Sequence, residues 1–183
     1  LELANVDLIG HSFGGMLAAE LAATDNRRFH HLLLLCAAGL WNEHLPVNSP
    51  GSTPPEQLPK LMFYDPTSEL AREVAGLPED AAERSRVILE RQRVLTEIKR
   101  YTGGDKGLRR RVHRIRANTC IVWGKHDGLI PVDYAYEFQK KIPDAQVKII
   151  EKAAHFPHLE QLSEVLNITV SFLETDCPIQ STF

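Results

Sequence analysis

A serine held between two glycines, in the five residues 10–14 (Gly-His-Ser-Phe-Gly), is the strongest constraint in this sequence. The apolar run 6–9 before it predicts a buried strand, and the Ala- and Leu-rich stretch 14–24 after it predicts a helix. On such a sharp strand-to-helix turn, the serine takes a strained backbone conformation and its hydroxyl stands above the sheet. We expect the two glycines to leave room for the chain to pass itself. The motif therefore predicts a β-turn-α unit that presents Ser12.

Strand and helix signals alternate along most of the chain. Apolar runs at 32–36, 119–123 and 147–150 are typical of strands covered on both faces. Helix candidates follow the last two of these runs, at 134–142 and 159–173. This alternation predicts an α/β fold built on a parallel sheet.

The stretch 40–108 interrupts the alternation. It opens with a proline-rich loop and continues with a predicted helix, which ends at the glycine pair after Thr102. The apolar residues at helical spacing in this helix are Val87, Ile88, Val94, Leu95 and Ile98. We interpret 40–108 as a helical insertion over one edge of the sheet, between core segments 1–39 and 109–183. Its apolar residues could line a pocket, although ordinary packing inside the insertion is the interpretation we favour: Trp41, Leu61, Met62, Phe63 and Tyr64.

Charge and composition exclude several classes of partner. The chain of 183 residues carries 21 basic and 24 acidic side chains, which gives no reason to expect nucleic acid or an anionic membrane. The arginine-rich stretch 109–116 reads as the solvated face of a short amphipathic helix. No apolar run approaches the roughly 20 residues that span a bilayer.

The cysteines and histidines give no sign of a disulfide framework or a metal site. An odd number of cysteines, namely Cys36, Cys120 and Cys177, favours a reducing compartment, and we expect a cytoplasmic protein. Because the Cys and His residues lack the spacing of zinc ligands, we expect no metal.

A serine hydroxyl is a weak nucleophile that needs a base in contact and an acid to orient that base. Asp127 follows the predicted strand 119–123, and His155 follows the strand 147–150. The carboxyl ends of parallel strands meet at one edge of a sheet, where active sites gather. We therefore expect Ser12, Asp127 and His155 to lie together.

Other residues compete for these two roles. His158 is the nearest alternative base, and Asp133 is the alternative acid, although Asp133 reads better as the N-cap of the following helix. His11 and His126 adjoin the motif positions, and we expect both side chains to point elsewhere.

Three segments together resemble the α/β-hydrolase superfamily. Residues 10–15 (Gly-His-Ser-Phe-Gly-Gly) resemble its nucleophile elbow, 123–131 (Trp-Gly-Lys-His-Asp-Gly-Leu-Ile-Pro) its acid loop, and 154–161 (Ala-His-Phe-Pro-His-Leu-Glu-Gln) its histidine loop. They occur in the family's order, each after a predicted strand, and the insertion matches the family's helical cap. One departure is Ala154, where the family usually has glycine.

The resemblance implies roles for individual residues. Ser12 would be the nucleophile, His155 the general base and then acid, and Asp127 its orienting partner. The backbone N–H of Phe13 would donate to the oxyanion, and no cofactor would be needed. The expected reaction is hydrolysis of a small, apolar carboxylic ester through an acyl-serine intermediate. Alternatives are carbon–carbon bond hydrolysis of a diketone-like acid with the same triad, and a non-catalytic relative that binds a ligand.

The resemblance also carries an expectation about the start of the chain. The family has four strands before the elbow strand and takes a second oxyanion donor from a loop among them. These N-terminal strands are absent from the 183 residues, so we expect residues 1–183 alone to be inactive and poorly soluble.

Overall fold

A parallel sheet of four strands organises the computed structural model, which describes residues 6–102, 107–142 and 144–175. The strands lie in the order β1-β2-β3-β4, so each pairs with its neighbour in the chain. Their bounds are β1 Val6–His11, β2 Phe29–Leu35, β3 Asn118–Gly124 and β4 Gln146–Ile150. All four overlap the predicted apolar runs, and the predicted α/β class with a parallel sheet is confirmed.

Helices follow or connect these strands throughout the described residues. They are α1 Phe13–Thr24, α2 Leu58–Met62, α3 Glu69–Ala75, α4 Ala81–Thr102, α5 Gly107–Arg111, α6 Asp133–Gln139, α7 Pro157–Glu160 and α8 Leu162–Leu173. The helix predicted at 159–173 is thus two helices, α7 and α8, with Gln161 between them. None of the helices in these parts of the chain is both long and apolar enough to cross a membrane.

Helices cover both faces of the sheet, which explains the unbroken apolar run Leu32–Leu35 in the second half of β2. Leu32 and Leu34 belong to a core shared with α1 and α6, whereas Leu33 and Leu35 pack with α8 residues such as Phe172. Successive strand side chains point to opposite faces, so a strand covered on both faces needs apolar residues at every position. Burial of each such leucine contributes roughly 1.5–3 kcal/mol.

Helix α1 approaches the sheet closely because its buried face is built of small residues. Ala18, Ala19 and Ala22 are buried there. A Cβ added to Gly10 would lie 2.5 Å from the carbonyl oxygen of Gly14, and one added to Gly15 would lie 2.7 Å from the Ala37 Cβ. The prediction that the two motif glycines leave this room is right for Gly10 and wrong for Gly14, whose added Cβ would meet nothing within 4 Å. Gly15 is instead the second glycine that allows α1 to pack closely on the sheet.

This difference predicts opposite effects at the two motif glycines. Gly10→Ala is expected to lower the free energy of unfolding by about 1–3 kcal/mol, because the clashing atoms belong to the backbone of α1. Gly14→Ala is expected to be neutral or to stabilise by up to about 1 kcal/mol, since alanine is the better helix former. Urea unfolding of both variants checks this. Equal losses at the two positions would contradict it.

The connection between β2 and β3 contains the residues predicted as an insertion. Phe63 is buried there with Ala71 and Ala75 of α3, and Leu61 and Met62 are partly buried against the core, whereas the Tyr64 side chain is 48% exposed. Trp41 is partly buried, and its carbonyl oxygen accepts a hydrogen bond from Arg109 at 2.9 Å.

Two helical predictions in and after this connection differ in part from the structure. In α4, Val87, Ile88 and Leu95 are partly buried, but Val94 is 53% exposed and lies outside the predicted stripe. The Ile98 side chain and the glycine pair 103–104, at which the sequence predicts the helix end, fall outside the described residues. The stretch 109–116 is mostly helical, and its apolar stripe is buried as predicted: Leu108, Val112 and Ile115.

Candidate active site

The turn after β1 places Ser12 in a strained conformation at the carboxyl end of the sheet. Its φ is 53°, in the left-handed region that residues other than glycine rarely occupy. Three backbone hydrogen bonds hold it there: the Ser12 N–H donates to Leu35 O at 2.9 Å, and the Ser12 carbonyl accepts from Met16 N and Ala38 N at 3.1 and 3.0 Å. Phe13 begins α1, so its N–H is among those without a partner inside the helix.

A continuous chain of side-chain hydrogen bonds starts at this serine. The Ser12 hydroxyl lies 2.9 Å from His155 Nε2, and His155 Nδ1 lies 2.8 Å from Asp127 Oδ2. Asp127 cannot donate as a carboxylate, so His155 Nδ1–H donates to it and leaves Nε2 to accept the serine proton. The structure thus brings together the three residues that the sequence singled out, and His155 and Asp127 are only 3% and 6% exposed.

The loop after β3 fixes the Asp127 carboxylate on both oxygens. Oδ1 accepts hydrogen bonds from the N–H groups of Leu129 and Ile130, each at 2.9 Å, while Oδ2 faces His155. The loop is itself tied to the residues after β4, because His126 N donates to Ala153 O at 3.0 Å. These hydrogen bonds oppose rotation of the Asp127 carboxylate away from the imidazole.

The alternative acid and base lie elsewhere. Asp133 is exposed and is the first residue of α6, and the N-cap of that helix is Val132, so the predicted N-cap is wrong by one position. The His158 ring packs edge-on against the His11 ring at 4.6 Å, and its buried Nδ1 has no hydrogen-bond partner among the described residues. The His126 ring lies 4.9 Å from the Tyr64 ring.

His11 contacts the site, contrary to the expectation that it points elsewhere. Its Nε2–H donates to the backbone oxygen of His155 at 2.7 Å, and the centroids of the two rings are 4.9 Å apart. Since strand side chains alternate, Gly10 faces α1 while His11 faces the loop that carries His155. Burial first, and then the charge of His155, lower the pKa of His11 to about 3.

This lowered pKa predicts that the protein loses stability in acid. Between pH 6.5 and about 3, the unfolded chain binds a proton at His11 that the folded protein does not, so the free energy of unfolding falls as the pH falls. At about 1.4 kcal/mol per pH unit, the loss by pH 5 is about 2 kcal/mol. Burial also lowers the pKa of His158, which acts in the same direction.

Urea unfolding at pH 7 and pH 5 checks the prediction for His11. His11→Phe keeps the ring but cannot titrate, so it is expected to lose less stability than the wild type between these two pH values. His44→Phe, at an exposed position, is the control and is expected to behave as the wild type does. The same pH dependence in wild type and His11→Phe would contradict the assignment.

Cys36 is a second neighbour of the site that sequence patterns did not reveal. It follows β2 with a φ of 44°, is fully buried, and its thiol donates to Ala154 O at 3.7 Å. Burial and the Asp127 carboxylate raise the pKa of this thiol well above its ordinary value, so the sulfur stays protonated. Cys36 and Cys120 are free thiols, and Cys177 lies outside the described residues.

Two groups of possible metal ligands occur in the described part of the chain. Cys36, Asp127 and His155 have ligand atoms within 4.8 Å of one another, as do Asp7, His30 and His31. In the first group the imidazole and carboxylate atoms already bond to Ser12, to each other and to backbone N–H groups, and the thiol is protonated. This donor set fits the hydrogen-bonded chain better than a cation. In the second group, His31 Nδ1 and Asp7 Oδ1 are likewise already joined by a hydrogen bond of 2.9 Å.

The fold agrees with comparisons to known proteins. The sequence profile of the alpha/beta hydrolase family matches residues 2–168, and the chain belongs to this family. The predicted superfamily is thereby confirmed. An esterase from Exiguobacterium antarcticum has a similar structure, with a TM-score of 0.69, 20% identity and coverage of 95% of this chain and 68% of the esterase.

Curated relatives include hydrolases of more than one kind. The chain is 23% identical to a 2-hydroxy-6-oxo-6-phenylhexa-2,4-dienoate hydrolase from Comamonas testosteroni, over 94% of this chain and 64% of the relative. It is 27% identical to Lipase 1 from Psychrobacter immobilis, over 87% of this chain and 53% of the lipase. The chain thus spans less than two thirds of the length of these relatives.

Proposed function

We propose that the protein is a serine hydrolase that cleaves a small, apolar carboxylic ester through an acyl-serine intermediate. The observation that carries the proposal is the unbroken path Ser12 Oγ–His155 Nε2 at 2.9 Å and His155 Nδ1–Asp127 Oδ2 at 2.8 Å, at the end of a strained elbow. A nucleophile, a base and an orienting acid in this order are what acyl transfer requires.

In the first half of the reaction, Ser12 Oγ attacks the ester carbonyl carbon while His155 Nε2 takes the hydroxyl proton. The carbonyl oxygen becomes an oxyanion, and we assign the Phe13 N–H at the start of α1 as a donor to it, supported by the positive end of the helix dipole. Asp127 stabilises the imidazolium that forms. The C–O bond then breaks, and His155 returns the proton to the departing alkoxide.

In the second half, water replaces the alcohol. His155 takes one proton from the water as its oxygen attacks the acyl carbon, and a second tetrahedral intermediate forms. Its collapse breaks the bond to Ser12 Oγ, which recovers a proton from His155, and the carboxylic acid leaves. Every proton moves through a nitrogen that already lies 2.9 Å from the serine oxygen.

The second candidate reaction is carbon–carbon bond hydrolysis of a diketone-like acid. The observation that favours it is the match over 94% of the chain to a relative named as a 2-hydroxy-6-oxo-6-phenylhexa-2,4-dienoate hydrolase. Both reactions use the same three side chains, so the leaving group decides between them. We also propose that residues 40–108 act as a cap that covers the substrate, between the core segments 1–39 and 109–183.

A serine-reactive fluorophosphonate probe tests the proposal on the natural gene product. Attack by Ser12 Oγ on phosphorus expels fluoride and leaves a stable adduct, which mass spectrometry locates. Labelling at Ser12 is expected, and an unlabelled Ser12 would support a non-catalytic, ligand-binding protein instead. Turnover of short p-nitrophenyl esters compared with a vinylogous diketone acid then separates the two reactions.

A further inference from the structure

Glu160, the last residue of α7, joins two parts of the molecule that flank the site. Its Oε2 accepts a hydrogen bond from the N–H of Ala154 at 2.7 Å, and its Oε1 accepts one from the N–H of Tyr64 at 2.6 Å. Ala154 immediately precedes His155, whereas Tyr64 lies about ninety residues earlier in the β2–β3 connection. One carboxylate thus connects the histidine loop to a distant segment.

The distant segment, 58–64, consists of α2 with Phe63 and Tyr64, and it also contacts both loops of the site directly. The Leu61 carbonyl accepts from Gly128 N at 2.9 Å, one residue after Asp127. The Met62 carbonyl accepts from the N–H of His155 itself at 3.0 Å. Segment 58–64 therefore lies across the acid loop and the histidine loop, with Glu160 at one end.

Apolar contacts reinforce this attachment. The Phe63 ring stacks on the ring of Phe156, with centroids 5.2 Å apart, and Phe63 is only 2% exposed. Phe156 is the residue after His155, and it is held by its ring contact with Phe63. Ala154, the residue before His155, is held by its hydrogen bond to Glu160. Both oxygens of Glu160 accept from backbone N–H groups, and hydrogen bonds to a carboxylate are stronger than those to a neutral acceptor.

We propose that Glu160 is a positioning residue, whose carboxylate latches segment 58–64 to the backbone before His155 and so keeps the imidazole against Ser12. The proposal deepens the proposed function and rests on it for its catalytic consequence. Burial raises the pKa of the Glu160 carboxyl, and the N–H groups of Ala154 and Tyr64 act against this rise. The two hydrogen bonds from Ala154 and Tyr64 therefore stabilise the latch, whereas burial of the carboxylate opposes it.

Two variants of Glu160 and one control test the latch in the natural gene product. Glu160→Gln retains one acceptor oxygen, and Glu160→Ala retains none. Glu164→Gln makes the same chemical change as the first variant at an exposed position of α8, and circular dichroism monitors folding of all three. Hydrogen–deuterium exchange at the amides of Tyr64 and Ala154 measures the latch without reference to activity.

We expect exchange at one or both amides to accelerate about tenfold in Glu160→Gln and further in Glu160→Ala, with no change in Glu164→Gln. For a short p-nitrophenyl ester, kcat is expected to fall about tenfold in Glu160→Gln and further in Glu160→Ala, while KM changes less than about threefold. A purely structural role would lower the melting temperature without this graded loss of kcat.

The outcomes separate the latch from the proposed function. If the wild type does not react with the fluorophosphonate probe, the proposed function fails, and the exchange rates still decide whether the latch exists. If the wild type reacts, but Glu160→Gln exchanges both amides at the wild-type rate or keeps its full kcat, the latch is wrong and the proposed function stands. Should Glu160→Ala not fold, Glu160→Gln alone gives the decision.

Discussion

Replacing Ser12 with alanine is expected to reduce turnover by about 10⁴-fold or more while the fold stays intact. The Ser12 Oγ atom would bond to the acyl group, and among the described residues it is the hydroxyl oxygen that contacts His155 Nε2. The change removes a partly exposed oxygen at a turn and so opens no cavity in the core. Activity assays and thermal unfolding of the natural gene product measure the two effects separately.

A matched substitution controls for the loss of a hydroxyl as such. Ser163→Ala removes a hydroxyl from an exposed position of α8 and is expected to keep wild-type activity. The Ser12→Ala variant is also expected to lose labelling by the fluorophosphonate probe. If it kept more than about a tenth of wild-type turnover, the acyl-serine mechanism would be wrong.

The parts of this molecule that could be predicted from its sequence are those governed by local pattern. The second half of β2 is apolar at every position because helices cover both of its faces, and the run Leu32–Leu35 shows that pattern in the sequence. Loops that follow parallel strands meet at one sheet edge, so Asp127 and His155 could be expected near Ser12 from strand positions alone.

The contacts that were missed join residues far apart in the chain. His11 was expected to point away, because an extended backbone alternates its side chains, but the loop that carries His155 lies on the face to which His11 points. No local pattern shows where that loop lies. The same holds for Glu160, whose partner Tyr64 is in a different connection, and for Cys36 beside Asp127.

Two predictions, the N-cap of α6 and the second glycine under α1, were wrong by one residue because neighbouring residues suit the same structural role. Asp133 is a good N-cap by type, yet α6 begins at Asp133 and is preceded by Val132, because Tyr134 N and Ala135 N donate to the carbonyls of Pro131 and Val132. Gly14 and Gly15 are adjacent in the sequence. A side chain at Gly15 would clash with Ala37, which follows β2, and this contact is not visible in the local sequence. Tertiary contacts chose between residues that local chemistry left equivalent.

Asp127→Asn is expected to lower kcat by about 10³–10⁴-fold, although it changes a single atom. The Leu129 and Ile130 N–H groups both donate to Oδ1, and they would keep an acceptor oxygen at that position in the variant. The amide NH₂ would then replace Oδ2 and donate to His155 Nδ1. His155 would have to carry its proton on Nε2, and an Nε2–H cannot accept the proton of Ser12.

The effect of Asp127→Asn should therefore appear in kcat and in the rate of labelling by the fluorophosphonate probe, with a small effect on stability, since the shape of the side chain and its bonds to Leu129 and Ile130 are kept. Asp133→Asn makes the same chemical change at an exposed position and is expected to keep wild-type activity. A fall in kcat of less than about tenfold in Asp127→Asn would show that this carboxylate does not set the tautomer of His155. Loss of activity in Asp133→Asn, with Asp127→Asn active, would assign the orienting acid to Asp133 instead.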